Sequence, residues 1–175
     1  MQRHFQVKNQ TIHFKMLGTA TGGFNGRYTS QELADENLAE LGQSFDSSSA
    51  TLMLPQCHSD VIHVKPGIKE AIGDVLITDV PNHALILRPA DCIPLLLFSD
   101  TSPVVALVHG SRQGLDEGII EKSIDELKTA GISVVDIQAF VGPSIQKESY
   151  KLPLEVVNKL AHRTWQRAIS RQGNY

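Results

Sequence analysis

The sequence has little of what several protein classes require. Its 175 residues include only two cysteines, Cys57 and Cys92, which excludes a disulfide-rich secreted scaffold. Its longest apolar run, residues 93–98, is too short to cross a bilayer, and no apolar signal-peptide core follows Met1. The net charge is -3 and no run of lysines or arginines suggests a surface that tracks phosphates. We therefore expect a cytoplasmic protein with neither a membrane nor a nucleic acid as partner.

The remaining composition, 41% hydrophobic and 20% charged, suits one domain over residues 1–175. Short β-compatible segments fill the middle of the chain, and helical patterns follow Thr29, Asp116 and Pro153. The helix after Asp116 is expected to run to Ala130. Many strands with three or so helices predict a layered α/β or α+β domain. The predicted strands form a hairpin around 8–10 and cover 52–54, 61–64, 75–78, 84–87, 93–98, 104–109 and 134–141.

Three short segments join a reactive side chain to the end of a predicted strand. They contain His58, Cys92 and His109. One cysteine and two histidines can give a transition metal three ligands and leave one position open, as in catalytic zinc sites. The same set suits copper, so ligand type alone does not decide the metal. Two readings without a metal stay open: a buried, inert Cys92, and a cysteine hydrolase in which His109 activates the thiolate.

The turn after His109 has a second candidate role. A strand ends there, a Gly-Ser-Arg-Gln-Gly segment follows, and a helix begins. Backbone N–H groups at helix starts attract anions, and ligands of α/β sheets gather at the carboxyl ends of strands. Arg112, and also Arg88, could add charged hydrogen bonds to a phosphate. A plain strand-to-helix connection with a surface arginine is the alternative.

Several motifs occur in the order and at the separations of a known family. They are QxHxDV at 56–61, DxLxTDxPxxxLxLxxADCxPLLLxxD at 74–100, VALVHG at 105–110, and GPSI at 142–145 followed by Tyr150. From about residue 14 to about residue 160, the chain resembles the YfiH family of purine nucleoside phosphorylases. That family is also called the multicopper polyphenol oxidase or laccase-domain family.

The resemblance implies an α+β fold with α/β/α layers and mixed sheets, shared with a bacterial toxin domain. It implies zinc, rather than copper, on His58, Cys92 and His109. It also implies phosphorolysis of adenosine, inosine and guanosine, with purine nucleoside and phosphate as partners, and deamination of adenosine. The expected catalytic residues are the three ligands and Asp91, which would act as an acid/base or orient a ligand. The expected substrate-binding residues are Gly22, Gly23, Arg112 and Tyr150.

The chain also departs from the family pattern. Ala20 and Gln113 stand where the family has arginines, and the sequence stops at Tyr175, before the C-terminal segment of typical members. These departures favour a second hypothesis, a metal-binding relative that has lost catalysis and serves as an interaction or regulatory domain. A third hypothesis is copper-dependent oxidation of phenols. Multicopper chemistry needs more histidines than the seven present.

Overall fold

The structure is a computed structural model that describes residues 2–7, 10–15, 49–53, 56–64 and 70–159. Three α-helices lie in this part of the chain: α1 (Arg112–Asp116), α2 (Ile119–Thr129) and α3 (Leu154–Val157). The strands found there are β1 (Gln2–Val7), β2 (Gln10–Lys15), β3 (Ser49–Met53), β4 (Ile62–Val64), β5 (Glu70–Ala71), β6 (Val75–Thr78), β7 (His83–Ile86), β8 (Ile93–Ser99), β9 (Ser102–Gly110) and β10 (Ile137–Val141).

A five-stranded mixed sheet forms the centre of the fold, in the order β10-β8-β9-β6-β4. Its neighbouring strands are antiparallel except for β4 and β6, which are parallel. Every residue of β6 is buried, and so are all residues of β8 after Ile93. Continuous apolar strands of this kind are expected where both faces of a sheet are covered.

One face of the central sheet is covered by α2. Ile119 and Leu127 of this helix are fully buried against apolar side chains of β6, β8 and β9. The helix expected over 116–130 is observed as α2, which begins three residues later and ends at Thr129. The preceding segment, expected to be a turn, forms the short helix α1. Gly118 has φ 82, a left-handed conformation that ends α1 and begins α2.

The other face is covered by strands. The β1–β2 hairpin places Phe5 and Phe14 against Phe98 and Phe140, with ring centroids 4.7–5.5 Å apart. A second, parallel sheet of order β5-β3-β7 contributes the fully buried Met53, which packs with side chains of the central sheet. The expected α+β class with mixed sheets is thereby confirmed.

Two boundaries differ from the sequence prediction. Residues Val134–Asp136 form a 3-10 helix rather than the start of β10, with the Asp136 N–H donating to the Ser133 carbonyl. The strand predicted over 52–54 is β3, which begins earlier, at Ser49, and ends at Met53. The glycine-rich loop at 19–28, the helix after Thr29 and the final helix beyond Lys159 lie outside the described residues. Within the described ranges, none of the helices has the length and apolarity needed to span a membrane.

Replacing Leu127 by alanine tests whether α2 and the central sheet share one core. Leu127 is fully buried, so Leu127→Ala is expected to lower the free energy of unfolding by about 2–5 kcal/mol. Chemical denaturation measures the loss. Val135→Ala is the control, because Val135 is 91% exposed and its truncation should change stability by no more than about 0.5 kcal/mol. Equal stabilities of the two variants would contradict this description of the core.

Candidate metal centre

Strand order brings four distant positions to one end of the central sheet. Cys92 comes immediately before β8, and His109 lies near the end of β9, the antiparallel neighbour of β8. Asp74 comes just before β6, which is antiparallel to β9, with Val75 opposite Val108. His58 comes before β4, which runs parallel to β6. The site therefore meets the carboxyl end of β9 but the amino ends of its neighbours. The expectation that ligands gather at carboxyl ends is correct for His109 alone.

The three predicted ligands converge. The ligand atoms of His58, Cys92 and His109 all lie within 4.8 Å of one another. His109 is buried, Cys92 is half-buried and His58 is exposed, and the two imidazole centroids are 5.3 Å apart. The cluster is therefore anchored in the core on the β9 side and reaches solvent on the His58 side.

A buried carboxylate holds both histidines. Asp74 has no exposed surface, and its Oδ1 accepts a hydrogen bond from His109 Nδ1 at 2.7 Å. The same oxygen accepts the His58 backbone N–H at 3.1 Å. The backbone N–H and the hydroxyl of Ser59 donate to Oδ2 at 2.8 and 2.7 Å. Since Nδ1 of His109 is engaged, Nε2 is its free ligand atom, which is the usual arrangement of a metal-binding histidine.

The charges at this centre follow from burial and from these bonds. Burial alone would raise the pKa of Asp74, but hydrogen bonds from His109 and Ser59 outweigh it and hold that pKa below its usual value. Burial lowers the pKa of His109, and the Asp74 carboxylate offsets this only in part. The pair is thus an ionised carboxylate and a neutral imidazole, and neutral imidazole is the form that binds metals.

Burial raises the pKa of the Cys92 thiol, and the negative charges of Asp91 and Asp74 raise it further. A coordinated thiol loses its proton to the charge of the metal. Among groups of three or more His, Cys, Asp or Glu side chains in the described chain, His58, Cys92 and His109 are the set whose ligand atoms lie close enough together to hold a metal ion. Two imidazoles and a thiolate suit zinc and copper alike. The donor set therefore fits a metal and leaves its identity open.

The turn that carries His58 is held by several contacts. His58 has φ 54, a left-handed conformation that is uncommon outside glycine and is supported here by the bonds to Asp74. Gly114 of α1 lies so close that a Cβ there would approach the Ser59 carbonyl oxygen to 2.6 Å. An ion pair between Asp60 and Lys122 ties the same segment to α2. The position of His58 thus depends on both helices.

Arg112 and Tyr150 lie together beside the cluster. Partial burial raises the pKa of the Tyr150 hydroxyl, while the Arg112 side chain opposes this through its charge and a hydrogen bond. The charges of Cys92 and Asp91 also act on Tyr150. Asp91 is exposed, and its backbone carbonyl accepts the Ile145 N–H at 3.0 Å. Tyr150 is therefore close to the candidate ligand Cys92, and Arg112 is hydrogen-bonded to Tyr150.

The sequence prediction missed Asp74. It is the first residue of the DxLxTD motif and directly precedes a buried strand, a signal that could have identified it. His63 and His83 make ordinary hydrogen bonds, to the Ile72 carbonyl and to Thr51. The Arg88 backbone N–H donates to Gln56 Oε1 at 2.9 Å. The roles expected for Gly22 and Gly23 fall outside the described residues.

Comparison with known proteins gives consistent matches. A family model described as multi-copper polyphenol oxidoreductase laccase matches residues 22–175. A purine nucleoside phosphorylase of Clostridium acetobutylicum is 32% identical over 145 residues, covering 82% of this chain and 61% of that protein. A purine nucleoside phosphorylase of Haemophilus influenzae is 28% identical over 124 residues, covering 70% of this chain and 50% of that protein. The chain thus spans between half and two thirds of the length of these relatives.

The crystal structure of the Bacillus licheniformis protein YfiH superposes on the chain with a TM-score of 0.71. The match covers 86% of this chain and 64% of YfiH, at 22% sequence identity. At this level of identity the similarity shows a shared fold.

Asp74→Asn tests the role of the buried carboxylate. The amide offers one acceptor oxygen where the carboxylate offers two, so at least one buried donor loses its partner, at about 1–3 kcal/mol. Zinc affinity is expected to fall about ten- to hundredfold, because the His109 ring loses its orienting acceptor. Denaturation and competition with a chromophoric chelator measure the two effects. The exposed Asp125→Asn is the control, and an Asp74 variant that matches it in both measurements would refute this role.

Proposed function

The chain belongs to the multi-copper polyphenol oxidoreductase laccase family, and from that premise we propose that it is a metal-dependent purine nucleoside phosphorylase. The observation that carries the proposal is the convergence of His58, Cys92 and His109 within 4.8 Å. The names of the curated relatives support purine nucleoside and phosphate as the substrate classes. In this proposal residues 1–175 form one YfiH-like domain that contains the site.

We assign zinc to the three ligands in preference to copper. Three protein donors and one open position are typical of catalytic zinc. When bound, such an ion polarises an oxygen ligand or lowers the pKa of bound water. The chain's own part is to present neutral His109 and the turn that carries His58 in fixed positions, and the hydrogen bonds of Asp74 to the His109 ring and to the His58 backbone N–H do so.

Phosphorolysis requires that a phosphate oxygen bond to C1′ of the ribose while the bond from C1′ to the purine nitrogen breaks. The purine takes the electron pair of that bond and a proton. Arg112 beside the cluster supplies a fixed positive charge for the phosphate. Tyr150, whose pKa is raised by burial, keeps its proton at neutral pH and can donate it to an oxygen or nitrogen of the substrate.

Asp91 and the glycine-rich loop complete the proposed site. The Asp91 carboxylate is exposed next to Cys92, where it can exchange a proton with the substrate. Gly22 and Gly23 would allow the backbone to approach the substrate closely. Adenosine deamination is proposed as a second reaction of the same site. Water adds to C6 of the adenine ring, the bond from C6 to the exocyclic nitrogen breaks, and that nitrogen takes up a proton from the water and leaves as ammonia.

Cys92→Ser tests the proposal directly. Purified wild-type protein is expected to contain about one zinc per chain and to release free base from inosine, adenosine or guanosine only when phosphate is present. Cys92→Ser should lose most of its zinc and most of its phosphate-dependent release of base, because a hydroxyl is a weaker zinc ligand than a thiolate. Elemental analysis and chromatography of the products give the two readouts.

Cys57→Ser is the matched control, because Cys57 is exposed and lies outside the three-ligand cluster. Stoichiometric zinc with no turnover on any purine nucleoside would refute catalysis and support a binding or regulatory role. Restored turnover in the double variant Ala20→Arg, Gln113→Arg would then attribute the loss to the missing arginines. Copper in place of zinc, together with oxidation of phenols, would refute the phosphorolysis proposal.

Arg112→Gln tests the proposed phosphate contact. A charged hydrogen bond contributes about 1.5–3 kcal/mol, so kcat/KM for phosphate is expected to fall about ten- to hundredfold, with zinc content unchanged. Lys128→Gln removes an equal charge from an exposed residue of α2, and it should leave kcat/KM for phosphate and the zinc content unchanged. An unaltered phosphate dependence in Arg112→Gln would exclude Arg112 from the substrate site.

A further inference from the structure

We propose that His4 and His13 form a second transition-metal site, on the solvent face of the β1–β2 hairpin. The two residues lie directly opposite each other in the hairpin register. Both are exposed, and their Nδ1 atoms are 2.8 Å apart. Two imidazole nitrogens that face each other across a strand pair offer two ligands to Cu²⁺, Ni²⁺ or Zn²⁺.

The hairpin holds this pair in place. Successive residues of a strand point to opposite faces, so Phe5 and Phe14 pack inward while their neighbours His4 and His13 face solvent. The Phe5 ring lies 4.7 Å from that of Phe98, measured between centroids, which fixes the hairpin on the central sheet. The backbone positions of both ligands are therefore set before an ion binds, and binding orders only the two rings.

The hydrogen bonds define where the protons are. The Gln2 Nε2 amide can only donate, so it donates to His4 Nε2 at 3.0 Å. The proton of neutral His4 is then on Nδ1, and it is donated to Nδ1 of His13. A metal ion would replace this shared proton between the two nitrogens. The proton moves through solvent to His4 Nε2, where the Gln2 amide turns its oxygen to accept it, so no net proton is released.

The spacing of the two nitrogens favours one group of ions. Donors bonded at about 2.0–2.1 Å stand about 2.8–3.0 Å apart at a right angle and about 3.3–3.4 Å apart at a tetrahedral angle. The two hydrogen-bonded nitrogens, 2.8 Å apart, therefore need not separate to occupy neighbouring positions of a square-planar or tetragonal ion. This geometry favours Cu²⁺ and Ni²⁺ over Zn²⁺. Lys15, two residues along from His13, adds a positive charge that weakens binding.

The experiment uses the full chain carrying His58→Gln and Cys92→Ser, which disable the three-ligand cluster. Cu²⁺ alone is the probe, and electron paramagnetic resonance follows its binding. We expect one equivalent of Cu²⁺ with nitrogen splitting from two imidazoles. Adding His4→Gln or His13→Gln should lower Cu²⁺ affinity at least tenfold and remove one nitrogen from the splitting.

His63→Gln in the same background is the matched control. It also removes a histidine, but one whose Nε2 is bonded to the Ile72 carbonyl at 2.6 Å, and it should leave Cu²⁺ binding unchanged. Both hairpin residues are exposed, so circular dichroism should show that their variants fold. The proposal is overturned if the parent binds no Cu²⁺, or if its affinity and splitting survive both hairpin substitutions. Because the cluster is disabled throughout, this outcome is independent of the nucleoside assay.

Discussion

The candidate metal centre depends on one buried carboxylate. Asp74 accepts hydrogen bonds from the ring of His109, from the backbone at His58 and from both polar groups of Ser59. Burying an ionised carboxylate costs free energy unless its oxygens accept hydrogen bonds, and these donors supply them. One residue thereby sets the ring orientation of one ligand and the backbone conformation of another. The stability of the core and the geometry of the site are linked through the same four bonds.

The register of the central sheet determines whether Asp74 can reach His109. Asp74 and His109 meet because β6 and β9 pair with Val75 opposite Val108, and a shift of one residue in that register would turn His109 away. Buried side chains on both faces of β6 and β8 fix the register. The apolar composition of these strands is therefore as important to the chemistry as the polar residues at their ends.

Much of this arrangement could be predicted from the sequence because its signals are local. Alternating apolar residues identified the hairpin, β6 was predicted with its observed bounds, and the motif match identified all three cluster residues. Asp74 was missed because its partners are 15–35 residues away and only the fold brings them together. Helix α1 was missed because its five residues are too few to show an apolar periodicity. The parallel pairing of β4 with β6 likewise has no local signature.

The antiparallel pairing of β8 with β9 bears on the order in which the chain assembles. Cys92 and His109 flank a single hairpin, whereas about twice as much sequence separates His58 from Cys92. Closing the shorter loop loses less chain entropy, so contacts between neighbouring strands form sooner than distant ones. We therefore expect the thiol and the buried imidazole to come together first during folding, and the exposed histidine to join them when its own segment docks.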